Sequence, residues 1–249
     1  MSTWLRLVRA EIRKLTTTKM PWGFLSVLLL VAGIDAAVVM FGTDMDGSKT
    51  FIATAADQQS LMTFAFNAML GTALFGAIAV AREYGHHTVV PTFLSSPKRV
   101  QAATAQFFAI MLGGAALGLV AQALVTTGIA LALPTTKYDF LVSAGALSRV
   151  LAASTFAGAA GAVLGAGLGA SIRNVGGAVT AAVFLLFMVP PLVVQLFSDA
   201  ASWIPPTLST VISGTTQEVD VWAAVAAVLA GALVPAAIGL VAIQRRDVV

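Results

Sequence analysis

Long apolar runs separated by short polar segments dominate the sequence. A helix that crosses a bilayer needs about 20 predominantly apolar residues, and the runs in this chain have that length or more. The six runs lie at residues 22–41, 61–80, 102–133, 147–171, 175–197 and 221–243. The third run is longer than a bilayer requires, so we expect it to tilt or to extend beyond the lipid. The pattern predicts an all-α integral membrane protein, in which residues 1–249 form one domain of six transmembrane helices.

An amphipathic segment at residues 2–19 precedes the first run. Its apolar side chains recur at helical spacing, and its arginines follow the opposite face. The apolar set is Trp4, Leu5, Val8, Ile12 and Leu15, and the basic set is Arg6, Arg9 and Arg13. A basic helix with an apolar stripe is typical of the membrane interface. We therefore predict an interfacial helix, with a soluble docking helix as the alternative.

The fifth run contains two adjacent prolines, and the polar segment after it contains short apolar islands. Pro190-Pro191 interrupts that run, because proline removes a helical hydrogen bond. The following segment, 198–220, is polar but contains apolar islands around Trp203 and Leu208. We expect an outer loop in which short helices re-enter the membrane. A kinked span followed by an ordinary loop is the alternative.

The distribution of charge predicts the orientation. Charged residues make up 10% of the chain, against about 25% in soluble domains, so lipid is the expected solvent for most of it. With six spans, both termini lie on one side, and that side carries eleven of the fourteen lysine and arginine residues. The side rich in lysine and arginine faces the cytoplasm. Both termini are therefore predicted to be cytoplasmic.

Composition also limits which binding partners and which cellular compartment are expected. The net charge of +3 is concentrated on one side of the membrane, so we do not expect nucleic acid as a partner. The sequence has no cysteine, which leaves no disulfide framework and no thiolate metal site. These features fit a multi-pass protein of a bacterial inner membrane, with the lipid bilayer itself as a partner.

Motifs for catalysis are missing from the sequence. No G-x-x-x-x-G-K-[ST] occurs, so the chain itself is not expected to hydrolyse a nucleotide through a P-loop. The only histidines, His86 and His87, are adjacent and have no acid or third histidine at ligand spacing, so we expect no metal site. We predict that this chain is not an enzyme by itself and carries no cofactor.

A few polar residues within the apolar runs are candidates for a translocation path. Asp35 is an acid inside the first run, and an ionised carboxylate in hydrocarbon has to face protein or water. It lines a path or relays protons in one interpretation, and it reaches the outer interface in the other. Asn67 and Gln122 are the other path candidates, although neutral amides more often join helices through hydrogen bonds.

Glycines in the fourth run indicate close helix packing. Gly161, Gly165 and Gly169 are spaced by four residues, which places them on one face of a helix. Small residues on such a face let another helix approach closely. We therefore assign these three glycines to helix packing.

The largest charged interruption lies at residues 81–100, between the second and third runs. It begins with Arg82-Glu83-Tyr84-Gly85-His86-His87-Thr88 and ends with Pro97-Lys98-Arg99. Together with Ala10–Thr17 before Trp22, and with Arg245–Val248 at the end, this segment resembles the permease subunits of ABC-2 type ABC transporters in their compact bacterial form. The family's loop after the second span follows the pattern E-Y-x-x-G-T…P-x-R. The chain departs from this pattern at His87, where the family has glycine, and in having Pro91 inside the loop.

The resemblance implies a fold and a set of partners. Two six-helix subunits would form a path, and each would bind one ATPase subunit through a coupling helix in the loop at 81–100. The coupling residues carried over are Arg82, Glu83, Tyr84, Gly85, His86, His87, Thr88, Phe93 and Leu94. ATP and Mg are then expected in the ATPase partner. A second copy of this chain, or a related permease, would complete the path.

The function expected from these features is ATP-driven export of an amphipathic substrate, namely a drug, an antimicrobial peptide, a lipid or a glycan. Two alternatives belong to other classes. One is a secondary transporter driven by protons through Asp35. The other is a membrane protein that transports nothing and serves in immunity or assembly.

Overall fold

The computed structural model of the chain describes residues 3–45, 47–63, 65–85 and 99–245, apart from the side chains of 65–67. Within these ranges the chain is helical and has no strand, which confirms the predicted all-α fold. The helices are α1 Thr3–Thr17, α2 Met20–Phe41, α3 Ala55–Met62, α4 Ala65–Gly85, α5 Arg99–Ala132, α6 Ala144–Ile172, α7 Val175–Leu196, α8 Pro205–Ile212 and α9 Val221–Arg245. In the described part, the five helices α2, α5, α6, α7 and α9 are long and apolar enough to cross a membrane.

Helix α1 packs along the first part of α5 with its apolar face. Val8 is buried, and the ring of Trp4 lies 5.2 Å from the ring of Phe108 on α5. The helix ends at Thr17, whose hydroxyl donates to the carbonyl of Arg13. Such bonds from threonine to the preceding turn compete with the helical ladder. Pro21 then lies in the first turn of α2, where its missing N–H costs nothing.

The second apolar run is divided between two helices. Thr54 starts α3 with a capping box: its hydroxyl accepts a hydrogen bond from the N–H of Asp57, and Oδ2 of Asp57 accepts one from the N–H of Thr54. Helix α3 ends at Met62, and Thr63 is not helical. Helix α4 then runs from Ala65 to Gly85, so it extends past the predicted end at residue 80.

A buried amide holds α3 against the bundle. Gln58 is fully buried, and its Nε2 atom donates to the carbonyls of Ile52, at 3.1 Å, and Asp139, at 2.8 Å. Its Oε1 atom accepts from the N–H of Leu141 at 2.9 Å. A buried polar group that is satisfied in this way joins two segments far apart in sequence. The turn after α2 is thereby tied to the connection between α5 and α6.

Helix α6 is at the centre of the bundle. In an apolar stretch of 18 residues in α6, 67% of the residues are buried, whereas in a stretch of the same length in α2 the figure is 11%. It packs along α4, α5 and α9. Gly161 and Gly165 lie against the backbone of α4 at Met69 and Ala73, and a Cβ on Gly169 would lie 2.7 Å from the carbonyl oxygen of Ala77. The glycine face of α6 is therefore the face that contacts α4.

Helix α7 contains a π-helical turn at Phe184–Met188, which ends two residues before Pro190. A π turn pairs residues five apart and occurs as a local bulge within α-helices. The helix continues without a break from Val175 to Leu196. Pro190-Pro191 thus lies within one continuous helix, in its first turn after the bulge.

The segment between α7 and α9 folds back on the bundle. It contains a 3₁₀ turn at Ser198–Trp203 and the short helix α8, in which Leu208 and Val211 are buried. Helix α8 packs on α4, α6 and α9. Beyond it, the carbonyl of Ser213 accepts a hydrogen bond from Nε2 of Gln59 at 3.1 Å. The segment is therefore attached to the α3–α4 junction.

Candidate functional site

The described part of the predicted coupling set lies in the last turn of α4, beyond the predicted second span. Nζ of Lys14 on α1 lies 3.4 Å from Oε1 of Glu83 and 2.6 Å from Oε1 of Glu11. Gln106 on α5 also makes a side-chain hydrogen bond to Glu83. This ion-paired group, which we call the α1–α4 clamp (Glu11, Lys14, Glu83), joins the start of the chain to the end of α4.

Burial and charge oppose each other in the clamp. Burial raises the pKa of Glu83, and the Lys14 ammonium offsets only part of that rise. Burial lowers the pKa of Lys14, but its hydrogen bonds and its attraction to Glu11 and Glu83 raise the pKa by more. The pKa of Lys14 therefore lies above its ordinary value. The Glu83 side chain is 16% exposed and the Lys14 side chain 43%. Burial therefore outweighs the ion pair in the pKa of Glu83, and the ion pair outweighs burial in the pKa of Lys14. The clamp is thus a partly desolvated ion pair.

A second contact joins α4 to the ends of α6 and α9. The guanidinium carbon of Arg173 lies 5.0 Å from the centre of the Tyr84 ring, a cation–π geometry. Nη2 of Arg173 donates to the carbonyl of Ala242 on α9 at 3.2 Å. Burial raises the pKa of the Tyr84 hydroxyl, and the guanidinium charge acts in the opposite direction. We call Tyr84 and Arg173 the tyrosine–arginine contact.

Backbone conformation positions Arg173. It caps the C-terminus of α6 in the left-handed region, at φ 59° and ψ 14°, and its N–H bonds the carbonyl of Gly169 at 2.9 Å. A residue other than glycine is uncommon there. Asn174 then caps α7, with its Oδ1 atom accepting from the N–H of Gly177. This tight turn holds the arginine at the end of the bundle where α4 ends.

Several members of the predicted coupling set have no structural description here. His86, His87, Thr88, Phe93 and Leu94 lie outside the described residues. Arg82 and Gly85 belong to the last turn of α4, and Gly85 is exposed. The structure thus brings Glu83 and Tyr84 together with Lys14 and Arg173.

Two of the path candidates, Asp35 and Gln122, lie apart in the bundle. Gln122 on α5 is fully buried, and its Nε2 atom donates to the carbonyl of Met62 at 2.6 Å. Helices α2 and α5 run in parallel and meet where Gly128 faces the carbonyl of Ala32. Counting from that contact at 1.5 Å per residue, Asp35 and Gln122 lie about 13 Å apart along the helix axes. The side chain of Asn67 is outside the described residues.

Asp35 has an unusual environment for an acid. It is half-buried on α2, and its buried Oδ2 atom has no hydrogen-bond partner. An unpaired carboxylate oxygen in an apolar helix is energetically costly, and such residues in membrane helices are commonly functional.

In the described ranges, no three acidic, histidine or cysteine side chains are grouped so as to hold a metal ion.

Sequence reasoning identified Glu83 and Tyr84 but missed their partners. Lys14 and Glu11 are spaced by three on one helix, which is a visible signal for an ion pair within α1. Nothing in the local sequence connects Lys14 with Glu83, 69 residues away. Arg173 is the only charge in the turn between α6 and α7, and its isolation there was the available signal.

The sequence matches no protein-family model and no curated protein. The described structure is that of an all-helical chain with several helices apolar enough to cross a membrane.

Proposed function

We propose that the chain is the permease subunit of an ATP-driven exporter of the ABC-2 type. It would form half of a translocation path for an amphipathic substrate and would couple to a separate ATPase subunit. The observation that carries this proposal is the position of the α1–α4 clamp and of the tyrosine–arginine contact. Both lie in the last turn of α4, where the charged segment 81–100 begins.

These contacts supply a route for mechanical coupling. A force on the segment between α4 and α5 would reach α1 through Glu83 and Lys14. The same force would reach α6 and α9 through Tyr84 and Arg173, because Arg173 also bonds the carbonyl of Ala242. Four helices would then move together when an ATPase engages the loop. An exporter with no nucleotide site of its own needs such a connection.

The six-span topology of the proposal takes α4 as the remaining span. Helix α4 has 21 residues, close to the number of about 20 that a crossing needs, and its last turn, with Glu83 and Tyr84, would lie at the membrane surface. Both termini, the clamp and the loop at 81–100 would then face the cytoplasm of a bacterial cell, because most lysine and arginine residues fall on that side. A second copy or a related permease would complete the path.

Co-purification with an ATPase tests the proposal. The full chain would be tagged and isolated from its own host's membranes, and bound P-loop ATPases would be identified by mass spectrometry and by ATP hydrolysis. We expect the Phe93→Arg, Leu94→Arg double variant to lose the ATPase, because both positions belong to the predicted coupling set. Phe140→Arg is the matched control, since Phe140 is exposed at the opposite end of the bundle.

Two results would contradict coupling. One is purification of the unmodified chain without any P-loop ATPase. The other is an equal amount of ATPase bound to the double variant and to the Phe140→Arg control. Membrane insertion of each variant is checked by its recovery in the detergent-soluble membrane fraction.

The unpaired oxygen of Asp35 favours a second candidate, proton-coupled transport. In that mechanism the carboxyl would take up and release a proton as the path opens to each side. Asp35→Asn keeps the size of the side chain and removes the titration. Transport that persists in Asp35→Asn and depends on ATP would exclude proton coupling through this residue, whereas loss of pH-gradient-driven uptake would favour it.

A further inference from the structure

A large apolar cavity lies between α7 and α9, in the part of the bundle away from α1. Its volume is about 620 Å³, within the range of about 300–1,000 Å³ that is usual for ligand sites. Met69 on α4 and Leu164 on α6 form its floor, and the 3₁₀ turn and α8 close one end. Apart from the indole N–H of Trp203, the side chains that line this cavity, which we call the α7–α9 cavity, are apolar.

Two local features keep the cavity open. The π turn at Phe184–Met188 widens α7 beside it, and Leu185 and Leu186 from that turn are part of its wall. On the opposite wall α9 contributes small residues, among them Ala230 and Gly231. A Cβ added to Gly231 would meet no atom within 4 Å. Protein interiors normally fill such spaces, so a cavity of this size leaves room for another molecule.

The mouth of the cavity opens on the surface that faces lipid. Leu185, Trp203 and Val234 line the cavity and are exposed at its edge. Helices α7 and α9, which flank the mouth, are both long and apolar enough to cross a membrane. Water gains no hydrogen bonds from an apolar wall, and cavities of that kind stay dry and take up apolar molecules. The hydrocarbon of the bilayer is the phase in direct contact with the opening.

The dimensions favour a hydrocarbon chain over a helix. A helix with side chains is about 10 Å wide, so 620 Å³ would hold only about one and a half of its turns. A hydrocarbon chain is narrow and flexible, and by filling the cavity it supplies the van der Waals contacts that the cavity wall lacks. The only side-chain hydrogen-bond donor among the lining residues is the indole N–H of Trp203, so the polar end of an amphipathic cargo would have few partners there.

We propose that the α7–α9 cavity binds an acyl chain of a membrane phospholipid. The chain enters between α7 and α9 and lies against Leu186, Leu208 and Val228, while the headgroup stays at the membrane surface. This site is separate from the clamp at the other end of the bundle. It depends on the location of the protein in a membrane and not on the proposed export activity.

Photolabelling of the full-length chain tests the proposal. The protein is reconstituted in vesicles of phosphatidylethanolamine and phosphatidylglycerol that contain a phospholipid with a diazirine on its acyl chain. After illumination, labelled peptides are mapped by mass spectrometry. Leu186, Leu208 and Val228 line the cavity and are at most 4% exposed, whereas Leu30 on α2 is 65% exposed, so label on the three depends on a chain that has entered the cavity. We expect label at these wall positions as well as at lipid-facing positions of α2 such as Leu30.

A pair of glycine variants supplies the matched comparison. Gly231→Phe places a ring in the cavity, and Gly33→Phe places the same ring on the exposed face of α2, where an added Cβ also meets no atom. The added ring fills part of the cavity and leaves less room for an acyl chain. We expect the ratio of wall label to α2 label to fall in Gly231→Phe and to stay unchanged in Gly33→Phe.

Three outcomes would overturn the proposal. The first is an unmodified protein whose wall positions carry no label, a result that needs no variant. The second is wall label that is unchanged in a Gly231→Phe protein that elutes as a folded species. The third is a disulfide-linked dimer formed by Gly231→Cys in membranes: the chain has no other cysteine, so this would assign the cavity to a second copy.

Discussion

Replacing Gly165 with alanine is the most direct test of how the bundle is held together. An added Cβ at this position would overlap the carbonyl of Ala73, and would also lie 2.8 Å from the backbone nitrogen of Ala77. Both atoms belong to the backbone of α4, so no side chain can rotate away. The two helices would have to separate, and the contact that centres α6 in the bundle would weaken.

The magnitude follows from two opposing effects. Alanine is favoured over glycine within a helix by about 1 kcal/mol. Overpacking a close contact costs about 1–3 kcal/mol. At Gly33, on the exposed face of α2, an added Cβ meets nothing within 4 Å, so only the first effect operates. Gly165→Ala should therefore be less stable than Gly33→Ala by about 1–3 kcal/mol.

The assay is reversible unfolding in mixed micelles by titration with sodium dodecyl sulfate, followed by circular dichroism. Gly161→Ala and Gly169→Ala extend the series, because an added Cβ would approach α4 more closely at Gly161 than at Gly169. We expect stability to rank Gly165→Ala below Gly161→Ala, and Gly161→Ala below Gly169→Ala. The reasoning is refuted if Gly165→Ala unfolds at the same or a higher detergent fraction than Gly33→Ala.

Three further predictions concern polar contacts, each measured by the same unfolding titration. A double-mutant cycle of Lys14→Gln and Glu83→Gln should give a coupling of about 0.2–1 kcal/mol, because Lys14 is partly exposed, and zero coupling would contradict the clamp. Gln122→Leu should change stability by less than about 2 kcal/mol, since it removes the bond to the carbonyl of Met62 but also an unpaired buried oxygen. Hydrogen bonds from Thr50 hold the pKa of Asp44 below its ordinary value, so their stabilisation is present above about pH 4 and is lost as pH falls through the lowered pKa. Asp44→Asn should make stability less dependent on pH in that acidic range, and an unchanged pH dependence would count against the assignment.

The apolar runs were sufficient to predict an all-α fold with helices long and apolar enough to cross a membrane. Helix α2 and helix α9 begin and end close to the limits of their runs, because a long uninterrupted apolar stretch has few ways to be satisfied in lipid. The glycine spacing in α6 likewise pointed to a packing face. In these cases a local pattern determines the outcome.

Other features depend on contacts that no local pattern records. The polar residues around Gln58 are typical of a loop. Gln58 is nevertheless buried, and it makes hydrogen bonds to the backbone of Asp139 and Leu141, more than 80 residues away. The Thr54–Asp57 capping box was a readable signal for α3 that the apolar pattern obscured. Lys14 and Arg173 join the predicted coupling residues only because the folded helices bring their ends together. The ATPase partner and the export activity remain predictions from the resemblance.

The π turn in α7 has a consequence for how related sequences should be aligned. Pairing residues five apart accommodates one more residue than an α-helical turn, and each residue of an α-helix advances the chain by about 100° around the axis. Removing one residue from Phe184–Met188 would therefore rotate Val189–Leu196 by about 100° relative to the first half of the helix. A relative with a straight α7 would differ by a single-residue gap at this place. An alignment without that gap would assign the wrong residues to the lipid-facing side of the second half.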